Sequence, residues 1–398
     1  MDYHVLMGAG QIAGLVGFIL MFFQFVFSSR VRWLEKDIGL DTMYRYHKQL
    51  GIIAFVLIFL HPLFLNTHRM MVIGEMEEPS LFIGLGFIAL AILIITSMTA
   101  IFYKRLRLRY ETWFTIHKAN YLVFPLVFFH SIKEGTTIFS TTHVRYLWYV
   151  LFALYLLLVI YKIVQVVRAR RHPYQIIEII KETPDIHTVV LQGKKKHHLA
   201  GQFMFLQICT NQKVSEAHPF TISSSPTEEN LKVSVKALGD FTSQLPNVPI
   251  GTKAYIDGPY GVFTLQHMPS TCYVLIAGGI GITPFISMLR KLHAESSNKK
   301  ILLLWCNKTE QDIAFCKELE ELELSMEHLR VIHILSQQPD WHGETGYLTS
   351  DKLRTYCAEY THAHFLICGP PGMLQMVRKE LQLMDIPSTH IHYEKFEL

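Results

Sequence analysis

Two patterns divide the chain. Up to about Arg171, long apolar runs alternate with short polar connections; beyond it, short alternating runs give way to apolar bursts separated by amphipathic stretches. A helix needs about 20 mostly apolar residues to cross a hydrocarbon layer about 30 Å thick. Five stretches qualify: about 6–27, 49–65, 81–103, 113–131 and 146–167. The pattern therefore predicts an α-helical transmembrane bundle of five spans over 1–171, with room for an extra N-terminal interfacial piece. Over 173–264 the segments YQIIEII, HTVVLQG, QFMFLQIC, LKVSVKAL and KAYIDGPYG read as short strands separated by turn residues, as in a small antiparallel β-barrel. From Thr271 onward, CYVLIAG, KILLLWC, RVIHIL, HFLICG and IHYEKF alternate with helical stretches near 284–295, 310–325, 350–360 and 371–384, which predicts a parallel α/β sheet. The expected domains are 1–171, 172–268 and 269–398.

The second and fourth spans are the least apolar and carry four histidines, His47 and His61 on one, His117 and His130 on the other. A lone intramembrane histidine is often a packing residue. Ionisable groups in hydrocarbon are nevertheless costly and tend to mark functional interiors. Two matched pairs on parallel spans can give two axial ligands to each of two haem irons, His47 with His117 and His61 with His130. The two histidines of each span lie about 20 Å apart along the helix, which leaves room for two haems. Fourteen residues bring His61 back to within about 40° of His47, whereas thirteen leave His130 about 140° away from His117. Pro125 lies between the latter two and can kink or rewind that span. Lysine and arginine bias places Arg30, Arg32, Lys36, Arg45, the run Lys104–Arg109 and Arg168, Arg170 and Arg171 on the cytoplasmic side, with the N-terminus outside.

In the second half, His218-Pro-Phe-Thr-Ile-Ser-Ser-Ser225 is too polar for a core strand, and its hydroxyls and amides suit an anionic or heteroaromatic ligand. Gly278-Gly-Ile-Gly-Ile-Thr-Pro284 follows the first strand of the α/β part, and Cys368-Gly-Pro-Pro-Gly-Met373 follows the fourth. Glycines at such turns let a backbone approach a pyrophosphate, and two at one sheet edge point to a nucleotide site.

Composition narrows this further. The net charge of +4 comes from basic residues beside the apolar runs, so nucleic acid is not an expected partner. Six cysteines, none in CxxC spacing, fit free thiols in a reducing compartment. The first apolar run lacks a basic start and a small-residue cleavage site, and reads as a permanent span.

These motifs together resemble the NADPH oxidase and ferric reductase family over nearly the whole length, most closely its bacterial NADPH oxidase homologues. The histidine pairs match the family's bis-haem pattern, HPFTISS its flavin motif, and GGIGITP and CGPPGM its nucleotide motifs. The resemblance implies that His218, Pro219, Phe220 and Thr221 line FAD, with Ser223 and Ser224 near its ribityl or phosphate portion. It implies that Lys236, Gly239 and Thr242 hold the FAD pyrophosphate, and that Gly278, Gly279, Gly281, Thr283 and Pro284 meet NADPH or NADH. Cys368, Gly369 and Pro370 would sit near the nicotinamide, and Phe396 would stack on the flavin. Lys308 is a candidate for a 2′-phosphate. The implied activity passes electrons from NAD(P)H through FAD and two b-type haems to dioxygen across the plasma membrane, giving superoxide. A ferric chelate as acceptor, or a partner redox protein or quinone, are the alternatives. No calcium-binding loop or long regulatory insertion stands in the sequence, so no obligatory activating protein is expected.

Overall fold

The computed structural model describes residues 3–72, 80–103 and 105–394. The chain forms two compact units, Met1–Gln165 and Val166–Leu398.

The first unit is helical: α1 (Tyr3–Ser28), α2 (Arg32–Ile38), α3 (Leu40–Val72), α4 (Leu81–Phe102), α5 (Tyr110–His117), α6 (Asn120–Glu134), α7 (Thr136–Ser140) and α8 (Thr142–Arg171), which runs on into the second unit. Among the described residues, four helices are long and apolar enough to cross a membrane: His4–Ser28, Leu40–Met71, Leu81–Phe102 and Thr142–Arg171. The fourth expected span, 113–131, is two helices instead, α5 and α6. The chain rewinds at Lys118–Ala119, not at Pro125, which lies inside α6. There Ala119 N–H donates to Ile116 O (3.0 Å), Tyr121 N–H to Lys118 O (3.1 Å) and Leu122 N–H to Ala119 O (2.9 Å). Such i→i−3 turns advance about 120° per residue against about 100° in an α-helix, and so recover part of the phase missing between His117 and His130.

Helix α1 packs along α3, and α4 along α6. An aromatic core joins α1, α6 and α8: Phe18 stacks on Phe124 at 4.6 Å and on Trp148 at 4.7 Å. Inside this core Trp148 Nε1–H donates to Ser131 Oγ at 3.0 Å. Proline at 125 cannot donate to the carbonyl of Tyr121 four residues earlier. The Tyr155 hydroxyl donates to that carbonyl instead, at 2.6 Å.

The second unit opens with β1 (Tyr174–Lys181), β2 (Ile186–Gln192), β3 (Phe203–Thr210), β4 (Lys213–Val214), β5 (His218–Thr221), β6 (Leu231–Lys236), the short α9 (Asp240–Gln244) and β7 (Lys253–Tyr260). These strands form one antiparallel sheet in the order β4-β3-β7-β1-β2-β6, with β5 paired to β3. It encloses a core that includes Ile176, Val189, Leu191, Met204, Leu206 and Val233.

There follow β8 (Cys272–Gly278), α10 (Thr283–Ala294), β9 (Lys300–Asn307), α11 (Cys316–Ser325), β10 (Leu329–Leu335), β11 (Glu344–Thr345), α12 (Ser350–Cys357), β12 (His364–Cys368), α13 (Pro371–Leu383) and β13 (Ile391–Glu394). The sheet is parallel, in the order β11-β10-β9-β8-β12-β13. Alternate residues of β8 and β9 feed opposite cores, Leu275 and Leu303 one face, Ile276 and Leu304 the other, so helices cover both. Strands β9 and β12 flank β8, so the direction of winding reverses at β8 and β12. In such sheets the crevice at the carboxyl ends of those strands is where ligands bind. Helix α11 begins at Cys316, six residues later than its pattern suggests, because Phe315 adopts a left-handed φ of 55° before it.

Candidate functional site

Four histidines of the first unit, His47, His61, His117 and His130, are brought together two by two, His47 and His61 from α3 against His117 of α5 and His130 of α6. The rings of His47 and His117 have centroids 6.0 Å apart, and those of His61 and His130 are 6.3 Å apart. An imidazole–metal bond is about 2 Å long. Adding the depth of each ring gives about 6 Å between centroids for a metal held by imidazoles on both sides, so both pairs fit an iron between them. The second ring nitrogen is occupied as such ligation requires. His61 Nδ1 lies 2.8 Å from Gly10 O, His130 Nδ1 2.9 Å from Phe82 O, and His47 Nδ1 3.2 Å from Gln24 O. A carbonyl only accepts, so each Nδ1 carries the proton and Nε2 keeps its lone pair. His117 differs. Its Nδ1 faces the Asn120 side-chain amide at 3.5 Å, and Asn120 Oδ1 accepts from Thr96 Oγ1 at 2.8 Å.

In the antiparallel sheet, β5 carries His218, Pro219, Phe220 and Thr221 in register with β3, from Leu206 opposite His218 to Phe203 opposite Thr221. The His218 ring stacks on Phe241 at 4.1 Å, and Phe220 lies nearly parallel to the same ring at 6.2 Å. Thr221 Oγ1 is buried with no hydrogen-bond partner among the described residues, an orphaned atom that a bound group can satisfy. The hydroxyls of Ser223 and Ser224, expected near the flavin's ribityl or phosphate portion, bond within the protein. Both residues are fully buried; Ser234 Oγ donates to Ser223 Oγ at 2.9 Å, and Ser224 Oγ accepts from Lys232 N–H at 3.1 Å.

Lys236 is committed to Asp185, at 3.1 Å. Burial pushes the Asp185 carboxyl up, but hydrogen bonds from Lys236 and Thr183 outweigh it and hold the group below its usual range. Thr242 Oγ1 accepts from the amides of Leu238 and Gly239, both at 2.9 Å, closing the turn in which Gly239 sits.

At the carboxyl edge of the parallel sheet the two glycine turns interlock. A Cβ on Gly281 would lie 2.2 Å from Cys368 O, one on Gly278 2.7 Å from Pro370 Cδ, and one on Gly369 3.0 Å from Gly278 N. Gly279 differs: its φ is +52°, and a Cβ there would meet nothing within 4 Å. It is the open face of the turn, and Trp305 Nε1–H fixes it by donating to Gly279 O at 3.0 Å. Thr283 and Pro284 are buried at the start of α10, where Thr283 Oγ1 donates to Ile280 O at 3.1 Å. Cys368 is buried as well; burial raises its thiol well above the usual range, and nearby Glu394 adds to the effect. Gly369 and Pro370 reach the surface, and Lys308 is exposed just past β9. Phe396 and Lys104 lie outside the described residues.

Several residues here gave no signal in the sequence. Asn307 ends β9 with a buried Nδ2 that has no partner among the described residues. From α10, Arg290 NH1 donates to Ser223 O at 2.7 Å while its other nitrogens grip Glu318, and Ser287 Oγ donates to Ser224 O at 2.7 Å. The helix after the glycine turn therefore also holds the loop after β5. The partners of Arg290 and Ser287 in that loop, Ser223 and Ser224, are more than sixty residues away in sequence, so no local motif announces them.

Three family models match the chain: "Ferric reductase like transmembrane component" over residues 13–128, "FAD-binding domain" over 180–264 and "Oxidoreductase NAD-binding domain" over 275–379. The chain is similar to the glycine betaine monooxygenase reductase subunit of Chromohalobacter salexigens, 27% identical over 238 residues that make up 57% of this chain and 64% of that protein. It thus spans less than two thirds of that relative. NADH-cytochrome b5 reductase 1 of Candida glabrata is 25% identical over 272 residues, 64% of this chain and 94% of that protein. The solved flavohemoglobin from Malassezia yamatoensis shares fold at a TM-score of 0.53 and 18% identity, covering 99% of this chain and 96% of that one.

Proposed function

The chain joins a ferric-reductase-like transmembrane component to FAD-binding and NAD-binding domains, the architecture of NADPH oxidases and ferric reductases, and we propose that it carries electrons from NAD(P)H through FAD and two b-type haems to dioxygen on the opposite side of a membrane. The product is superoxide. Each NAD(P)H gives up two electrons and one proton on its own side, and two dioxygen molecules each take one electron. The single observation that carries the reading is the pairing of four histidines of the helical unit at 6.0 and 6.3 Å between ring centroids, three of them with the Nδ1 proton directed at a main-chain carbonyl.

The cofactors supply the redox chemistry, FAD turning a two-electron donor into single-electron steps and the haems carrying those electrons. The protein's residues bind and orient. His47 and His117 would hold the donor-side haem, and His61 and His130 the acceptor-side one. With both histidines of a pair committed to the iron they would hold, dioxygen would take its electron without binding that iron. Thr221, with His218, Pro219 and Phe220, would receive the flavin on β5. Lys236, Gly239 and Thr242 would border its pyrophosphate, Lys236 shared with Asp185. Gly279 would admit the NAD(P)H pyrophosphate, with Gly278, Gly281, Thr283 and Pro284 shaping the turn and Gly369, Pro370 and Asn307 lining the same edge. Lys308, exposed just past β9, would meet a 2′-phosphate. The cytoplasmic placement of this half, activity without an activating protein and division into haem, flavin and nucleotide parts at 1–171, 172–268 and 269–398 belong to the same proposal.

The test uses detergent-purified protein supplied with haem and FAD, reduced anaerobically with NADPH and then exposed to oxygen with a superoxide-sensitive probe. Reduced b-type bands that vanish as superoxide forms are expected. Fast oxidation by a ferric chelate with slow oxidation by oxygen would make the protein a metal reductase, and the absence of haem bands would refute the histidine assignment. His61→Ala and His130→Ala should each abolish superoxide formation and leave anaerobic flavin reduction intact. Undiminished superoxide in either variant would refute the assignment.

A further inference from the structure

The two acceptor-side histidines are seated in the same way on different helices. His61 lies against α1, with Nδ1 on the carbonyl of Gly10 and its ring where a Cβ of Gly14 would be. His130 lies against α4, with Nδ1 on the carbonyl of Phe82 and its ring where a Cβ of Gly86 would be. In both, the glycine stands four residues after the carbonyl, one turn along the same face. The three atoms nearest a Cβ on Gly14 are all His61 ring atoms, at 2.7, 2.9 and 3.3 Å; on Gly86 they are all His130 ring atoms, at 2.9, 3.0 and 3.1 Å. Contacts below 3.0 Å force a neighbour to move, and each imidazole could move only by giving up its carbonyl. Neither of the other two histidines has a ring within reach of a glycine in this way.

We infer that Gly14 and Gly86 are positioning residues for the acceptor-side haem ligands. They leave the helix backbone bare where each imidazole must lie flat, so that Nδ1–H reaches its carbonyl and Nε2 is fixed as the ligating nitrogen. The hydrogen bond sets both the tautomer and the donor strength of the ligand, and disturbing such partners typically weakens metal binding about 10–100-fold. The inference rests on the reading that the four histidines hold two haems.

The experiment loads detergent-purified protein with haem and measures haem per chain, haem affinity and the low-spin ferric electron paramagnetic resonance signal, none of which needs turnover. Gly14→Ala and Gly86→Ala should each weaken one haem about 10–100-fold, so that haem per chain falls from two towards one at limiting haem. The lost signal should be the one that disappears in His61→Ala. Gly8→Ala and Gly84→Ala add a methyl where nothing lies within 4 Å and should keep both haems. Gly17→Ala puts a Cβ 2.7 Å from Ile58 Cγ1 and separates packing from ligand seating; it should also keep both haems. Wild-type affinity and spectra in Gly14→Ala and Gly86→Ala would overturn the inference, as would an equal loss in Gly17→Ala. A wild-type protein that binds no haem would instead refute the underlying reading.

Discussion

At the scale of single residues, the glycines of the nucleotide turns do two different jobs. Gly281 exists because a main-chain carbonyl, Cys368 O, occupies the place of its Cβ at 2.2 Å. Gly281→Ala must pry two turns apart and should cost about 3 kcal/mol, at the upper end of ordinary substitutions. Gly279 exists because its φ is +52° and its outer face is open. There, Gly279→Ala should cost only about 1 kcal/mol in stability but raise the KM for NAD(P)H, since the methyl points where a pyrophosphate would approach. Thermal melts and steady-state flavin reduction separate the two; equal effects on both measures in both variants would contradict this division. The glycines were legible because their spacing after a strand has a physical meaning. The hydroxyls were not. The hydroxyl partners of Ser223 and Ser224, Ser234 and Lys232, come from β6, which no local pattern pairs with them.

At the scale of elements, hydropathy located the apolar helices well because a span is defined by length and polarity alone. It could not find the break between α5 and α6, since neither Lys118 nor Ala119 is a helix breaker, and the visible proline lies elsewhere. Pro125 leaves its mark on a neighbour, because the Tyr121 carbonyl it strands is taken by Tyr155 of α8. This makes a testable pair. Tyr155→Phe should lower stability by about 1 kcal/mol, the scale of an interhelical hydrogen bond in a membrane. Pro125→Ala restores an N–H that can reach Tyr121 O, so the double variant should regain much of that loss. Additive effects in a double-mutant cycle, read by detergent-phase thermal melts, would show that the hydroxyl does not serve the proline. The antiparallel and parallel sheets were read from periodicity with few errors, the late start of α11 being one. Period two with turn residues, and apolar bursts alternating with helices, each admit few architectures.

At the scale of the whole molecule, the proposed path has a direction, and the charges of the helical unit give it. Going along the chain, the ends of α1, α4 and α8 and the starts of α3 and α5 fall on one side if each apolar passage crosses once. That side holds Arg30, Arg32, Lys36, Arg45, Arg105, Arg107, Arg109, Arg168, Arg170 and Arg171. The opposite ends offer Arg69, Lys133 and Arg145, with Glu75, Glu77 and Glu78 in the connection between α3 and α4. Arginine and lysine stay on the cytoplasmic side during insertion, so the basic ends should face the cytoplasm. His47, near the start of α3, then lies on the donor side and His61 on the acceptor side. Single cysteines in a chain whose native six are replaced can read this directly. Trp33 is 68% exposed on the basic side, and Met70 is 54% exposed on the other. In intact cells, a membrane-impermeant maleimide should label Met70→Cys but reach Trp33→Cys only after permeabilisation. The reverse pattern would place the NAD-binding half outside the cell, away from its electron donor, and would refute the proposed direction of transfer even if both haems are bound.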